Sequence, residues 1–280
     1  MPELPEVETI RRDLEREAVG KKIKSVDVTG TRTIRRHKTK KPFVDRLTGT
    51  KILGVDRKGK YLLLRLDSGD VLVVHLGMSG QLLAAKNAKT PPPLKHTHVV
   101  LSYSTGGQLR FVDPRTFGEV FVTTPEDLEA EVPELAHLGF DAYEQVMSWV
   151  DFAQLLRAKR TKLKTLLMDQ KVIAGLGNIY SDEVLFEAGL RGDRTSDTLT
   201  AQEVRRLYRA MMDVLNEAIK HRGSSLADEQ YRDLFGEVGG FQAFHQVYDR
   251  EGQACVRCRN PIVREKSGGR STFYCAHCQV

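Results

Sequence analysis

Two clusters in this sequence have the residue types and spacing for chemistry, one near each end of the chain. All four cysteines fall in the last 26 residues, as Cys255-x2-Cys258 and Cys275-x2-Cys278 with sixteen residues between the pairs. Each pair can bite one metal ion from a tight turn, and four thiolates complete the tetrahedral shell of a single structural zinc. Such an ion has no open coordination position, so its role is structural and not catalytic. Two disulfides are the competing use of these cysteines, and they need an oxidising compartment. So short a tail has too little core to fold alone, and zinc binding supplies the missing stability. His277, inside the second pair, reads as a solvent-facing spare.

At the other end, Pro2 follows Met1, and removal of Met1 exposes a secondary amine. An α-amino group titrates near about 7.7 to 8, so on the order of a tenth of it is neutral at pH 7, against well under a thousandth for a lysine near about 10.4. Such an amine suits attack on an electrophilic sugar carbon. Glu3 and Glu6 stand beside it, where a carboxyl can donate or accept a proton. Capping and dipole preferences place the same residue types at the start of an ordinary helix, so the residues alone leave both readings open.

Forty-three Lys and Arg against 37 Asp and Glu give a formal charge of +6. The excess is clustered. Lys21 to Lys60 carries 14 bases against Asp27, Asp45 and Asp56, Arg157 to Lys171 six against Asp169, and Arg250 to Val280 six against Glu251 and Glu265. One such run is ordinarily a solvated face; three of them point to a polyanion, and nucleic acid is the first partner to consider. No apolar run approaches the roughly 18 residues that span a bilayer, and Met1 to Arg12 lacks the pattern of a secretory signal. The expectation is a cytoplasmic protein with no membrane partner, for which disulfides are the weaker use of the cysteines.

These clusters need elements to position them. Leu4, Val7, Ile10, Leu14 and Ala18 recur at helical spacing, so Pro5 to Val19 reads as an amphipathic helix closed by Gly20. Lys24 to Thr29, Tyr61 to Leu66, Val71 to Leu76, His98 to Tyr103, Leu109 to Val112 and Glu119 to Val122 read as strands, with hairpin turns at Asp67 to Asp70 and Ser104 to Gly107. That describes an antiparallel sandwich or barrel over 1–124, with a loop at Thr90 to Pro93. After Thr124 the pattern turns helical, with long periodic segments at Trp149 to Met168, Ile179 to Ala188 and Thr200 to His221. The class is α+β: a first domain at 1–124, a helical domain at 125–245 and a finger at 246–280. Gly223 to Gly240, inside the second, reads as a mobile loop.

Six motifs then carry a resemblance: Met-Pro-Glu-Leu-Pro-Glu-Val-Glu-Thr at the start, Lys58-Gly59-Lys60-Tyr61, His75-Leu76-Gly77-Met78-Ser79-Gly80, Asp113-Pro114-Arg115-Thr116-Phe117-Gly118, Gly175-Leu176-Gly177-Asn178-Ile179-Tyr180 and the four-cysteine finger. In order and spacing the chain resembles bacterial formamidopyrimidine-DNA glycosylase over essentially its whole length. The resemblance implies an N-terminal β-sandwich with a leading helix, a helix-two-turns-helix domain and a zinc finger.

It also implies an activity: a monomeric DNA glycosylase and AP lyase that removes 8-oxoguanine and formamidopyrimidines from double-stranded DNA and cleaves at abasic sites. Pro2 matches the nucleophile that attacks C1′, Glu3 the acid that assists ring opening, and Lys60 the lysine of the lyase steps, with Glu6 and Arg270 completing the catalytic set. Met78, Arg115 and Phe117 match the residues that fill the void left by the extruded base, a task that suits an adaptable side chain, a hydrogen-bonding one and a stacking one. Asn178 matches a phosphate contact at the turn of the helix pair, Arg160 and His96 align with further phosphate contacts, and Arg270 matches the finger arginine. His75 and Tyr180 lie within the matched motifs and join the DNA-binding set.

The chain departs from the family at Gly236-Glu237-Val238-Gly239-Gly240-Phe241, where a Lys-Pro-Gly-Tyr-Phe type segment is common, in the loop that covers the extruded base. Leu4, in place of the glycine usual in the endonuclease VIII branch, favours oxidised purines over that branch's oxidised pyrimidines. A noncatalytic zinc-finger protein that binds damaged DNA is the rival of a different class, and the intact Pro2, Glu3 and Lys60 speak against it.

Overall fold

The computed structural model describes residues 1–87, 94–227 and 230–280. The expected loop at Thr90 to Pro93 lies outside the described residues, as do Asp228 and Glu229 of the glycine-bearing stretch. The chain divides into two compact units, Met1–Ala136 with His221–Gly240, and His137–Lys220 with Phe241–Val280. These limits differ from the expected 124 and 245 for physical reasons. Arg36 reaches the Glu131 carbonyl, which ties 125–136 to the first unit. Tyr231 and Leu234 enter the first unit's core, and Ala84 N donates to Leu234 O at 2.7 Å.

In the first unit, α1 (Leu4–Glu17) precedes β1 (Ile23–Val28), α2 (Lys40–Leu47), β2 (Ile52–Lys58), β3 (Tyr61–Leu66), β4 (Val71–His75), β5 (Gln81–Ala85), β6 (Thr97–Tyr103), β7 (Gln108–Val112), β8 (Glu119–Thr123) and the short α3 (Leu128–Glu131) and α4 (Pro133–Ala136). The strands make two antiparallel four-stranded sheets, ordered β1-β6-β7-β5 and β2-β3-β4-β8. Period-2 alternation turns Val99, Leu101 and Phe111 of one sheet and Leu62, Leu64, Leu72 and Val74 of the other into a single core, so of the two expected architectures the sandwich is the one adopted. Val7, Ile10 and Leu14 of α1 and Phe43 and Leu47 of α2 close it.

Three of these elements escaped the sequence pattern. In β2 the inward position after Val55 is Arg57, whose charge hides the alternation. β5 is a short Gln-Leu-Leu-Ala-Ala run of modest strand propensity, and α2 lies within the longest basic stretch.

The second unit contains α5 (Trp149–Arg157), α6 (Leu163–Leu167), α7 (Asn178–Ala188), α8 (Ala201–Lys220) and a finger hairpin of β9 (Val263–Ser267) and β10 (Arg270–Tyr274). The helix expected over Trp149 to Met168 is two helices. Leu163 N and Lys164 N donate to Arg194 O and Gly192 O at 2.8 and 3.0 Å, bonds that a continuous helix would have kept for itself. α7 is buried on every side from Ile179 to Phe186, and its acids serve the finger: Asp182 accepts from Phe273 N, and Glu183 from the backbone of Gln246, Val247 and Tyr248. Phe186, Val247, Ile262 and Phe273 form one cluster with Cys255 and Cys275, so the finger shares its core with α7. No helix among the described residues is long and apolar enough to cross a membrane.

Candidate active site

The start of α1 is crowded with buried carboxylates. Pro2 is buried, Glu3 is the N-cap, and Glu3 and Glu6 are 2% and 1% exposed. The two form a reciprocal capping box, with Glu3 N donating to Glu6 Oε2 at 2.8 Å. Pro5 in the first turn costs no hydrogen bond there. The second carboxylate oxygen of Glu6 reaches further, accepting from Ser224 N at 2.8 Å. Gly223, at φ +76°, lies so close that a Cβ on it would meet Glu6 Oε1 at 2.6 Å. Glu6 thus bonds to both the amino end of the chain and the stretch after His221.

That stretch, expected as a mobile loop, is in its described residues a knitted segment. Ser225 Oγ donates to Tyr231 O and accepts from Gly239 N, Gly240 N returns to His221 O, and Asp233 caps a turn by accepting from Phe235 N and Glu237 N. Arg222 bonds both Asp13 of α1 and Asp233.

Lys60 stands at the tight β2–β3 turn, 8% exposed, beside Gly59 at φ +56°. Its neighbour on the inward face is Arg57, whose Nε lies 3.1 Å from Glu8 Oε2 and whose Nη1 donates to Gly59 O at 2.9 Å. Glu8 also pairs with Arg11 and Arg12. Burial opposes its charge, but the hydrogen bonds and charges of the three guanidiniums outweigh burial and hold it below the usual carboxylate range.

Met78, Arg115 and Phe117 come together on two interlocked loops. Asp113, wholly buried, accepts from Ser79 Oγ at 2.6 Å, Gly118 N at 2.7 Å and Arg115 N at 3.2 Å. A Cβ on Gly77 would strike Gly118 N at 2.6 Å, so the approach requires glycine. On this frame Met78 and Phe117 are 40% and 45% exposed, and the Arg115 guanidinium sits 5.0 Å from the Phe117 ring centroid. Large apolar side chains held in solvent by a buried network are poor core residues and good docking groups. His75, at the end of β4, stacks on Tyr61 at 4.4 Å, and burial pushes its imidazole down to about 4, with Glu119 opposing and Lys60 and Arg35 adding to the shift. His96 is exposed at φ +68°, and its carbonyl accepts from Asp113 N.

In the second unit, Gly175 at φ +91° donates its N–H to Gln170 Oε1 and leads the chain into α7 at Asn178. Asn178 Nδ2 lies 3.4 Å from Tyr248 Oη. Arg160 is 79% exposed and pairs with Asp197 at 3.2 Å, and Arg270 is exposed at the start of β10 after two left-handed glycines, Gly268 and Gly269. Tyr180 is the exception. Its side chain is fully buried against Phe241, which removes it from the residues able to touch a phosphate. α7 is buried on every side, so no exposed face was open to this residue.

The four cysteine Sγ atoms lie within 4.8 Å of one another, with Cys255 and Cys278 at 3.9 Å and Cys258 and Cys275 at 3.4 Å. A zinc tetrahedron with bonds of about 2.3 Å has sulfur edges of about 3.8 Å, so the four residues fit the ion.

The first unit thus holds buried acids behind a proline and apolar groups presented on two loops, and the second holds exposed arginines and a four-thiolate knuckle. Family models match in three consecutive parts: the formamidopyrimidine-DNA glycosylase N-terminal domain over residues 1–120, its H2TH domain over 138–230 and the zinc finger found in FPG and IleRS over 252–280. A relative in Pelotomaculum thermopropionicum, a formamidopyrimidine-DNA glycosylase, is 43% identical over all of this chain and 99% of its own. The crystal structure of the MutM (Fpg) protein of Thermus thermophilus superposes with a TM-score of 0.88 at 40% identity, covering 99% of this chain and 98% of that one. Lactococcus lactis Fpg in complex with DNA containing an abasic site gives 0.89 at 33% identity, with 99% of each chain covered. The chain belongs to the formamidopyrimidine-DNA glycosylase family.

Proposed function

We propose that this protein excises 8-oxoguanine and formamidopyrimidines from double-stranded DNA and cleaves the resulting abasic strand, acting as a monomer. With Met1 removed, the Pro2 nitrogen attacks C1′ of the damaged nucleotide, and the base departs with the glycosidic electron pair. The ring oxygen, protonated by Glu3, leaves C1′ and an iminium joins the protein to the opened sugar. The iminium is an electron sink that acidifies the C2′ proton, so β-elimination expels the 3′ phosphate and a second elimination expels the 5′ phosphate. Hydrolysis of the iminium returns Pro2, and the product is a one-nucleotide gap.

In this reading Lys60 assists the lyase steps through phosphate contact and proton transfer. His75, neutral at pH 7 by virtue of its lowered pKa, offers hydrogen bonds and no charge. Met78, Arg115 and Phe117 fill the vacated stack. Stacking a base on an aromatic is worth about 1–3 kcal/mol, comparable with the cost of flipping. His96, Arg160, Asn178 and Arg270 contact phosphates. When bound, zinc would cross-link the two cysteine knuckles through Cys255, Cys258, Cys275 and Cys278 and hold the hairpin that carries Arg270.

The observation that carries the reading is the capping box itself: Glu3 and Glu6, both buried, directly after a buried Pro2. The capping box satisfies two of the four N–H groups that a helix start leaves open. Two buried carboxylates beside a potential amine are costly for stability and useful for moving protons. Borohydride trapping on a duplex with 8-oxoguanine opposite cytosine, followed by mass analysis of the cross-linked peptide, tests it. A covalent adduct on Pro2 is expected. Strand cleavage without any adduct on Pro2 would move the nucleophile elsewhere, and a strong preference for thymine glycol would move the protein to oxidised pyrimidines.

A further inference from the structure

Helix α1 holds the segment after α8 at two points. Near its start, Glu6 Oε1 accepts from Ser224 N; two turns later, Asp13 accepts from Arg222 at 2.5 and 3.3 Å. Arg222 is not a simple surface cation. Its guanidinium is shared between Asp13, wholly buried, and Asp233, whose side chain is 2% exposed. Asp233 Oδ1 is used by the turn it caps, through Phe235 N and Glu237 N, which leaves Oδ2 to Arg222 at 2.5 Å. The Arg222 carbonyl accepts from Tyr231 Oη at 3.0 Å. The backbone is unusual as well: Arg222 at φ +63° and Gly223 at φ +76° are consecutive left-handed residues, and the first has a side chain. L-residues adopt this conformation reluctantly, and it persists where surrounding contacts over-determine it.

A latch explains all three features. We propose that Arg222 is a positioning residue for base recognition: by joining Asp13 to Asp233 it fixes the Gly223-Ser224-Ser225 turn on Glu6 and holds the 230–237 turn in place. This rests on the reading that the segment covers the extruded base during excision. Arg222 acts through the Gly223-Ser224-Ser225 backbone and the capped turn, and its own guanidinium is committed to the two aspartates. The latch bears on the step that needs a base in place. Elimination at a preformed abasic site has no base to cover and does not depend on it.

The test uses full-length, zinc-loaded protein and compares two substrates, a duplex with 8-oxoguanine opposite cytosine and the same duplex with a preformed abasic site. Arg222→Ala is expected to lower kcat/KM for excision by up to about 100-fold, the cost of misplacing a substrate-positioning group by an ångström. Cleavage of the abasic duplex is expected to stay at the wild-type rate, and Arg222→Lys, which keeps a cation between the aspartates, to recover most of the excision. Asp233→Asn removes one half of the bridge and should reproduce the same split more mildly. Hydrogen exchange across 221–240 should quicken in Arg222→Ala while exchange in β2–β4 does not. Excision unchanged in Arg222→Ala, or excision and lyase falling in parallel, would overturn the positioning role. If the wild-type protein excises no 8-oxoguanine, the proposed function fails by itself, and the exchange experiment still judges the latch: unchanged protection in 221–240 overturns it.

Discussion

Arg57 and Glu8 form a salt bridge of 3.1 Å with side-chain exposures of 0% and 2%, joining the turn that carries Lys60 to the helix that begins beside Pro2. Breaking such a pair by removing one partner strands a buried charge, at about 3–5 kcal/mol. Glu8→Gln keeps the shape and removes the charge. It should lower the urea midpoint without changing the slope, and should slow trapping on 8-oxoguanine because Lys60 loses its frame. An unchanged midpoint would show that Arg57 holds its place through Gly59 O without the Glu8 charge.

This pair also marks the limit of what the sequence yields. The leading helix, the hairpin turns and six of the eight strands of the sandwich follow from patterns set within a few residues, and the cysteine cluster from the spacing of two pairs within 24 residues. Arg57 does not, because a charged residue on an inward position is legible only once its partner 49 positions away is known. Asp113 is similar: its motif was visible, but its role as the acceptor that locks the Met78 loop to the Phe117 loop depends on contacts 34 residues apart. Tyr180 is the opposite case: its motif is local, but the packing of its ring on Phe241 depends on a residue far along the chain.

The finger should stand or fall with its metal. Cys258→Ser removes one of four ligands, and zinc content and DNA affinity should drop together, because Arg270 sits on the hairpin that shares a cluster with Cys255 and Cys275. In zinc-loaded protein, Arg270→Ala should lower the slope of log K against log salt by about one phosphate's worth of released counterion. Normal affinity in a zinc-free variant would make the finger dispensable, and an unaltered salt slope would remove Arg270 from the phosphate contacts.

Acid should destabilise the first unit before its carboxylates titrate. Burial pushes His75 down to about 4 from an ordinary value of 6.5. Below about 6.5 the unfolded chain takes up this proton and the folded one does not, so stability is full above 6.5 and is lost as pH falls towards 4. The full loss is on the order of 3 kcal/mol. Glu8, lowered in the fold, contributes above about 4.5 and adds its own loss below that. In the second unit two groups oppose each other: burial lowers His245 to about 4 and raises Asp182 to about 7, and the carboxyl that protonates first in the fold gains stability as pH falls below 7. Urea midpoints at pH 7.5, 6 and 5 should therefore fall more steeply in the unmodified protein than in His75→Gln. Parallel profiles would show that the His75 imidazole is solvated.

The amine can be tested apart from the carboxylates beside it. Acetylating the Pro2 nitrogen leaves the capping box of Glu3 and Glu6 in place, so DNA binding should persist while trapping and strand cleavage disappear. Persistence of cleavage at the original rate would exclude Pro2 and direct attention to Lys60, which is 8% exposed and lies three residues beyond the buried Arg57.

Phe117 separates docking from folding. At 45% exposure it contributes little to the core, and the loop is shaped by Asp113, Ser79 and Gly118, none of which needs its ring. Phe117→Ala should therefore leave the urea midpoint where it is. Against damaged duplex it forfeits about 1–3 kcal/mol of stacking, roughly a five- to 150-fold drop in kcat/KM for excision. The drop should be smaller when the orphaned base is missing, since the ring then has no base on which to stack. Equal losses on both substrates would mean that Phe117 shapes the loop and does not fill the void. A lower midpoint would mean that it packs against the sandwich after all.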